Sequence, residues 1–299
     1  MSEEDPSAAL QARLAATGYI ASPDLATCAV LAQALEKPVL LEGEAGVGKT
    51  GLAQALADAQ GLELVRLQCY EGIDASTALY DWNYPRQLLA ARSTDTAKTV
   101  SESAKGLFSE DFLLERPLLY AIRQAQPTVL LIDEVDRGDE EFEAFLLEVL
   151  SDFQVTVPEL GTLSARARPQ VILTSNGTRE LSDALRRRCL YFYIDYPDAD
   201  QELDIVRERV PGLAPALARE AVSVVQQLRM REMHKVPGVA ETLDWCAALL
   251  GLGVGSIRDN RERMQSTLVC LLKTRADQLA LGNEDLDAIV QQATSESGG

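Results

Sequence analysis

The sequence predicts an α/β chain in which a five-stranded parallel sheet carries helices on both faces and a small all-helical region follows. Three observations predict it. Short runs rich in Val, Ile and Leu alternate with helical stretches over the first two-thirds of the chain, as strands buried on both faces require. A glycine-rich loop joins the first of these runs to a helix. Beyond Pro197 no apolar strand run occurs and helical periodicity takes over.

The strand runs span 38–43 (PVLLEG), 62–69 (LELVRLQC), 128–134 (TVLLIDE), 170–177 (QVILTSNG) and 189–196 (CLYFYIDY). Ser22, Pro23 and Asp24 supply a cap and an N1 proline for a helix over 25–35. A helix over 50–60 stops at Gly61. After the third strand, Phe142, Phe145, Leu146, Val149 and Leu150 form one apolar helix face. Residues 70–115 read as a long insertion with weak helical signal and Trp82 and Tyr84 near its middle. Residues 151–169 read as a hairpin turning at 158–161. Past residue 197, helices are expected over 201–208, 213–233, 238–250, 259–281 and 284–293, with the terminal SESGG disordered. The expected domains are therefore an αβα domain at 1–196 and a helical domain at 197–299.

Composition narrows the function classes. The 299 residues are 46% hydrophobic and 25% charged, and no apolar run is long enough to cross a bilayer. The acidic start MSEEDPSAAL lacks the basic and apolar segments of a signal peptide, so a cytoplasmic protein is expected. A net charge of -18 disfavours nucleic acid and anionic membranes, because the field repels phosphate, and it leaves basic protein partners open. Five dispersed cysteines and a single histidine, His234, predict reduced, packed thiols rather than a metal cluster.

The residues that carry chemistry begin with Gly43, Glu44, Ala45, Gly46, Val47, Gly48, Lys49 and Thr50, followed by Gly51. They fit G-x-x-x-x-G-K-[ST] at every position, between a strand and a helix. The glycines let backbone N–H groups close around an anion. Lys49 supplies a cation for the β- and γ-phosphates of ATP, and the Thr50 hydroxyl a ligand for Mg²⁺. A glycine loop that merely turns a strand into a helix would need no Lys-Thr pair.

Downstream, VLLIDE ends a strand in Asp133 and Glu134, two carboxylates at the carboxyl edge of a sheet, where open α/β sheets bind ligands. Asp133 is expected to hold Mg²⁺ through its water shell and Glu134 to polarise the attacking water. The next strand ends in Thr174, Ser175 and Asn176, and Asn176 could reach the γ-phosphate or the water. A simple Asn-Gly turn is the alternative. Arg186, Arg187 and Arg188 stand before the last strand. Cations suit a helix C-terminus, yet three exceed what capping needs, and such side chains could enter a neighbouring subunit's site.

These motifs, in this order, resemble the AAA+ superfamily of P-loop NTPases: Walker A at Gly43–Thr50, Walker B with catalytic Glu134, sensor 1 at Asn176, and arginine fingers at Arg187 or Arg188. The helical remainder is similar to the AAA+ lid, and the insertion and hairpin resemble the helix-2-insert group. LEGEAGVGKT, RLQCYEGIDASTALYDWNY and LRRRCLYFYIDYPD resemble the MoxR family, in particular the CoxD-like accessory ATPases of carbon monoxide dehydrogenase maturation. The resemblance implies a hexameric, ring-forming, chaperone-like ATPase that acts on a metalloenzyme client with a von Willebrand factor A domain partner. It also implies adenine contacts from Gly18, Tyr19 and Ile20. One departure is that VPGVAETLDW, where many lids carry a sensor 2 arginine, has none.

Two other classes compete. A P-loop small-molecule kinase would not need Glu134 beside Asp133 or an arginine triplet at a subunit edge. A nucleic-acid-directed motor of the restriction type is disfavoured by the charge. The insertion and the hairpin are the expected client contacts.

Overall fold

The structure, a computed structural model, describes residues 5–93, 107–258, 261–281 and 288–293. They fall into two compact units, one within 1–10, 23–42 and 50–193, the other within 11–22, 43–49 and 194–299. In chain order the elements up to residue 193 are α1 (Pro6–Ala15), α2 (Pro23–Leu35), β1 (Val39–Glu42), α3 (Lys49–Gln60), β2 (Leu64–Gln68), α4 (Ala75–Ala78), β3 (Tyr80–Trp82), α5 (Tyr84–Ser93), β4 (Leu113–Glu115), α6 (Pro117–Arg123), β5 (Val129–Asp133), α7 (Glu140–Asp152), β6 (Gln154–Val157), β7 (Gly161–Ser164), β8 (Gln170–Ser175), α8 (Asp183–Arg188) and β9 (Leu190–Tyr193).

The first unit is built on five parallel strands in the order β2-β5-β8-β1-β9. This is the predicted sheet. Every residue of β5 is buried, which explains its unbroken Val-Leu-Leu-Ile run. Register fixes where the strand tips fall. Leu41 lies opposite Thr174, Glu42 opposite Ser175, and Ile132 opposite Leu173. The strands therefore end together, and Glu42, Asp133 and Ser175 mark one edge of the sheet. Leu40, Leu130, Ile132 and Leu173 pack in one cluster with Phe142, Leu146, Val149 and Leu150 of α7. Asp139 caps that helix, its side chain accepting from Phe142 N at 2.8 Å.

Within 70–115 the structure holds more than a weak helical signal. After α4, β3 pairs antiparallel with β4, Tyr80 opposite Glu115 and Trp82 opposite Leu113. Strands of three residues have too little length for a period to register. Residues 94–106 of the insertion lie outside the described ones. β6 and β7 form a hairpin, with Val157 opposite Gly161, and Gly161 takes the left-handed conformation its turn requires.

The second unit contains α9 (Ala199–Arg209), α10 (Pro215–Arg229), α11 (Val239–Gly251), α12 (Arg261–Thr267) and α13 (Arg275–Ala280). The one continuous helix expected over 259–281 is a correction. α12 passes into a 3₁₀ turn at Leu268–Cys270, and α13 starts afresh behind Thr274, whose hydroxyl accepts from Asp277 N at 3.1 Å. Tertiary packing drives the break: the buried Thr267 hydroxyl accepts from the Trp245 indole at 2.7 Å. Of the helix expected over 284–293, only 288–293 is described, and SESGG lies outside the described residues. Trp245 is fully buried among Leu217, Val225, Leu249 and Leu271. Beside this core a buried Glu202 accepts from Arg229 at 2.7 Å, Thr242 at 2.7 Å and Gln226 at 2.8 Å. Removing Arg229 alone would strand a buried charge, a change that costs about 3–5 kcal/mol in comparable pairs.

Candidate nucleotide site

The glycine loop, 43–49, belongs to the second unit. Gly46 and Gly48 have φ of 83° and 97°, the region that favours glycine. A Cβ on Gly43 would lie 2.2 Å from the Ile194 carbonyl oxygen, so no side chain fits there. Glu44, Ala45 and Gly46 are exposed and Val47 is buried. Lys49 is buried at 6% exposure and its Nζ donates to Gly43 O at 2.7 Å and Glu44 O at 2.6 Å. The loop is thus wound around its own lysine. The Tyr19 hydroxyl donates to Gly48 O at 3.3 Å, and burial pushes its phenol above the ordinary range. Ile20 is half-buried nearby in sequence. The VPGVAETLDW stretch also meets this loop. Val239 N donates to Gly46 O at 3.1 Å, and a Cβ on Gly238 would sit 2.9 Å from Ala45 O. Sequence reasoning missed that contact; the glycine just ahead of α11 was its one local signal.

The carboxylates belong to the first unit. Asp133 is buried, and its Oδ1 accepts from the Thr50 hydroxyl at 3.0 Å and the Thr174 hydroxyl at 2.5 Å. Its Oδ2 accepts from Arg66 at 2.5 Å. Glu134 sits in the left-handed region at φ 54°, a conformation that costs a non-glycine residue about 1–3 kcal/mol and tends to mark functional positions. Its N–H donates to the Thr174 hydroxyl at 2.8 Å. Its carboxylate accepts from Asn176 Nδ2 at 3.5 Å and pairs with Arg137 at 3.3 Å. Asn176 is held in turn, since Asp136 Oδ2 accepts from Asn176 N at 3.2 Å and Thr178 N at 3.0 Å. Thr50, Asp133, Glu134 and Asn176 are therefore together. Gly51 is exposed on the first turn of α3.

Arg66, Arg137, Asp136 and the bridging role of Thr174 were missed. Asp136 and Arg137 follow Glu134 within one 3₁₀ turn, whereas Arg66 and Thr174 are brought there by the pairing of β2 and β8 with β5. Thr174 ties the Asp133 carboxylate to the Glu134 backbone, so Thr174→Val leaves both short of a partner. We expect a stability loss of about 1–3 kcal/mol in urea unfolding. An unchanged midpoint would mean that the bridge contributes nothing.

The arginines separate clearly. Arg186 turns inward, 3.3 Å from Glu42 and 5.7 Å from the Tyr191 ring centroid. Arg188 is exposed and donates to the Ser151 hydroxyl at 2.8 Å. Arg187 is exposed and makes no hydrogen bond or ion pair among the described residues.

The cysteines are free, and burial pushes Cys69, Cys189 and Cys246 up to about 12, so they are thiols at neutral pH.

The AAA domain (dynein-related subfamily) matches residues 38–189, just over half of the chain. The chain belongs to that family. It is an AAA+ ATPase, and the loop and carboxylates above fall inside the matched residues. Uncharacterized proteins of Staphylococcus haemolyticus and Staphylococcus epidermidis are 26% and 25% identical to this AAA+ chain over 258 residues, each alignment covering 83% of the chain and 89% of the relative. Among solved structures, a RuvB mutant of Thermotoga maritima aligns with 88% of the chain and 69% of its own length, at 16% identity and TM-score 0.46. The Thermotoga maritima RuvB Holliday junction branch migration motor aligns with 86% and 68%, at 17% identity and TM-score 0.44. No helix among the described residues is long and apolar enough to cross a membrane.

A magnesium ion bound with ATP fits these residues. Such an ion takes one or two carboxylates with waters and phosphate oxygens, so it needs no all-protein cage. Thr50 and Asp133, 3.0 Å apart, offer one hydroxyl and one carboxylate.

Proposed function

We propose that this AAA+ protein is a ring-forming, Mg-ATP-hydrolysing chaperone-like ATPase of the MoxR type. Residues 1–196 would act as its nucleotide-binding domain and 197–299 as its lid. The observation that carries the reading is the cluster at the end of β5, where Asp133 meets the Thr50 hydroxyl and Glu134 lies against Asn176. Lys49 and the loop N–H groups bind the β- and γ-phosphates, and Tyr19, with Ile20 beside it, borders the adenine. Magnesium, when bound, neutralises charge on the β- and γ-oxygens. Glu134 takes the proton of the attacking water, Asn176 orients that water, and Asp133 with Thr50 holds the cation's shell. Arg66, 2.5 Å from Asp133 Oδ2, leaves Oδ1 to face the Thr50 hydroxyl.

The MoxR-like segments support a finer reading. In it the protein forms a hexamer and matures or activates a metalloenzyme, with a von Willebrand factor A domain protein as partner. It would be closest to the CoxD-like ATPases, in the cytoplasm.

The test is phosphate release from ATP, dependent on Mg²⁺, with no phosphorylated small molecule formed. Lys49→Ala removes a charge-assisted contact worth about 1.5–3 kcal/mol, so ATP affinity should fall about 10- to 100-fold in calorimetry. Unaltered affinity would remove the loop from the reading. For the finer reading, a von Willebrand factor A protein encoded beside this chain should co-sediment with it and alter its turnover.

A further inference from the structure

Two short strand pairs stand apart from the main sheet. Among the described residues β3 pairs with β4 alone and β6 with β7 alone, so each pair leaves one edge without a strand partner; on β3 the Trp82 N–H of that edge donates to Asp81 Oδ1 at 2.8 Å. Exposed edges invite pairing with another chain, and folded proteins normally cover or charge them. Here β3 and β6 both line one cavity of about 530 Å³, whereas β4 and β7 do not. The two strands therefore border the same space.

The walls of that space have a definite chemistry. Trp82, Val149 and Val155 are buried, Phe145 is half-buried, and Tyr84 at the mouth is 61% exposed. The lining carries two carboxylates, Asp81 and Glu148, and no Lys or Arg. Arg116 lies 3.7 Å from Asp81 at the surface, while Glu148 is exposed and makes no ion pair among the described residues. Apolar walls, acidic rims and an unpaired strand edge together fit one kind of occupant.

We propose that this cavity is a docking groove for an extended, basic segment of a partner protein, which adds as a strand to the edge of β6, with β3 as the facing wall. Main-chain hydrogen bonds give such a segment its affinity and alternate side chains its specificity. One set of side chains descends toward Val149 and Val155, and the alternate, cationic set meets Asp81 and Glu148. The four residues of β6 span about 13 Å, so about four residues pair along the edge and a five-residue peptide covers it. The net charge of -18 steers a basic partner toward the chain at long range. The proposal rests on the reading that this ATPase acts on a protein. Binding is measured without nucleotide, so a failed groove leaves ATP hydrolysis standing, and absent hydrolysis leaves the groove standing.

The experiment uses the full chain and a fluorescein-labelled peptide, acetyl-VKVKV-amide, titrated by anisotropy at low salt. Saturable binding is expected. It should weaken at least tenfold with Glu148→Lys or Asp81→Lys in the protein. It should also weaken at least tenfold when the peptide's central valine becomes proline, or its lysines become glutamates. The peptide changes need no protein variant, so misfolding cannot mimic them. The idea is overturned by absent saturable binding, by equal binding of the proline peptide, or by indifference to Glu148→Lys in a folded variant. It is also overturned if single-stranded RNA displaces the peptide and binds the groove more tightly. A last overturning result is concentration-dependent self-association that buries Tyr84 and excludes the peptide, which would assign the groove to a second copy of this chain.

Discussion

Glu134→Gln is expected to bind ATP within about twofold of the parent and to hydrolyse it about 10² to 10⁴ times more slowly, the usual contribution of a general base. The substitution keeps shape and removes charge. Glu134 N still donates to Thr174, so the left-handed backbone and its neighbours stay in place. The amide keeps an oxygen for Asn176, but it has no basic lone pair to take the water proton. Lys49 and the glycine loop are untouched, which is why affinity is expected to hold. Calorimetry with ATP and a phosphate-release assay read the two halves separately. Turnover within tenfold of the parent would show that Glu134 is not the base.

The double change Arg187→Ala with Arg188→Ala is expected to cost about 10³ to 10⁵ in turnover, the range for an arginine that meets charge developing on a transferred phosphoryl group. Binding of ATP should change little, because that charge arises mainly in the transition state. The geometry narrows the candidates. Arg186 is committed to Glu42 and Tyr191 within its own unit. Arg188 holds Ser151, and Arg187 projects from the short helix α8 with no such commitment. If these arginines act in a neighbouring protomer, mixing this variant with Glu134→Gln should restore part of the activity. In a mixed assembly an intact arginine from one subunit faces an intact Glu134 from another. The measurement is an ATPase titration of one variant into the other, with subunit exchange verified by a fluorescent label. Exchange without recovery would make the arginines a helix-capping charge and nothing more.

The fold was largely legible because its signals are local. Five apolar runs became the five parallel strands, and the apolar face from Phe142 to Leu150 packs into the core as part of α7. The β3–β4 pair was not legible, since three-residue strands separated by the bulk of an insertion have no period of their own. The long helix expected over 259–281 failed for a different reason. Its residues favour helix, but Thr267 is claimed by the Trp245 indole and Thr274 caps a new turn, so tertiary contacts overrode propensity.

The candidate site divides along the same line. By itself the sequence determined the glycine loop, Lys49 and Thr50, and the Asp133–Glu134 pair. Each is a run of adjacent residues whose chemistry depends on spacing within a few positions. Only the tertiary structure decided that Thr174 joins Asp133 to the Glu134 backbone, and that Arg66 on β2 reaches Asp133. It alone turned Arg186 inward and brought β3 and β6 to one cavity. These contacts join residues tens of positions apart. Those to Asp133 and Glu134 exist because β5 lies between β2 and β8 in a fixed register, and strand order is a property of the assembled sheet that no single strand carries.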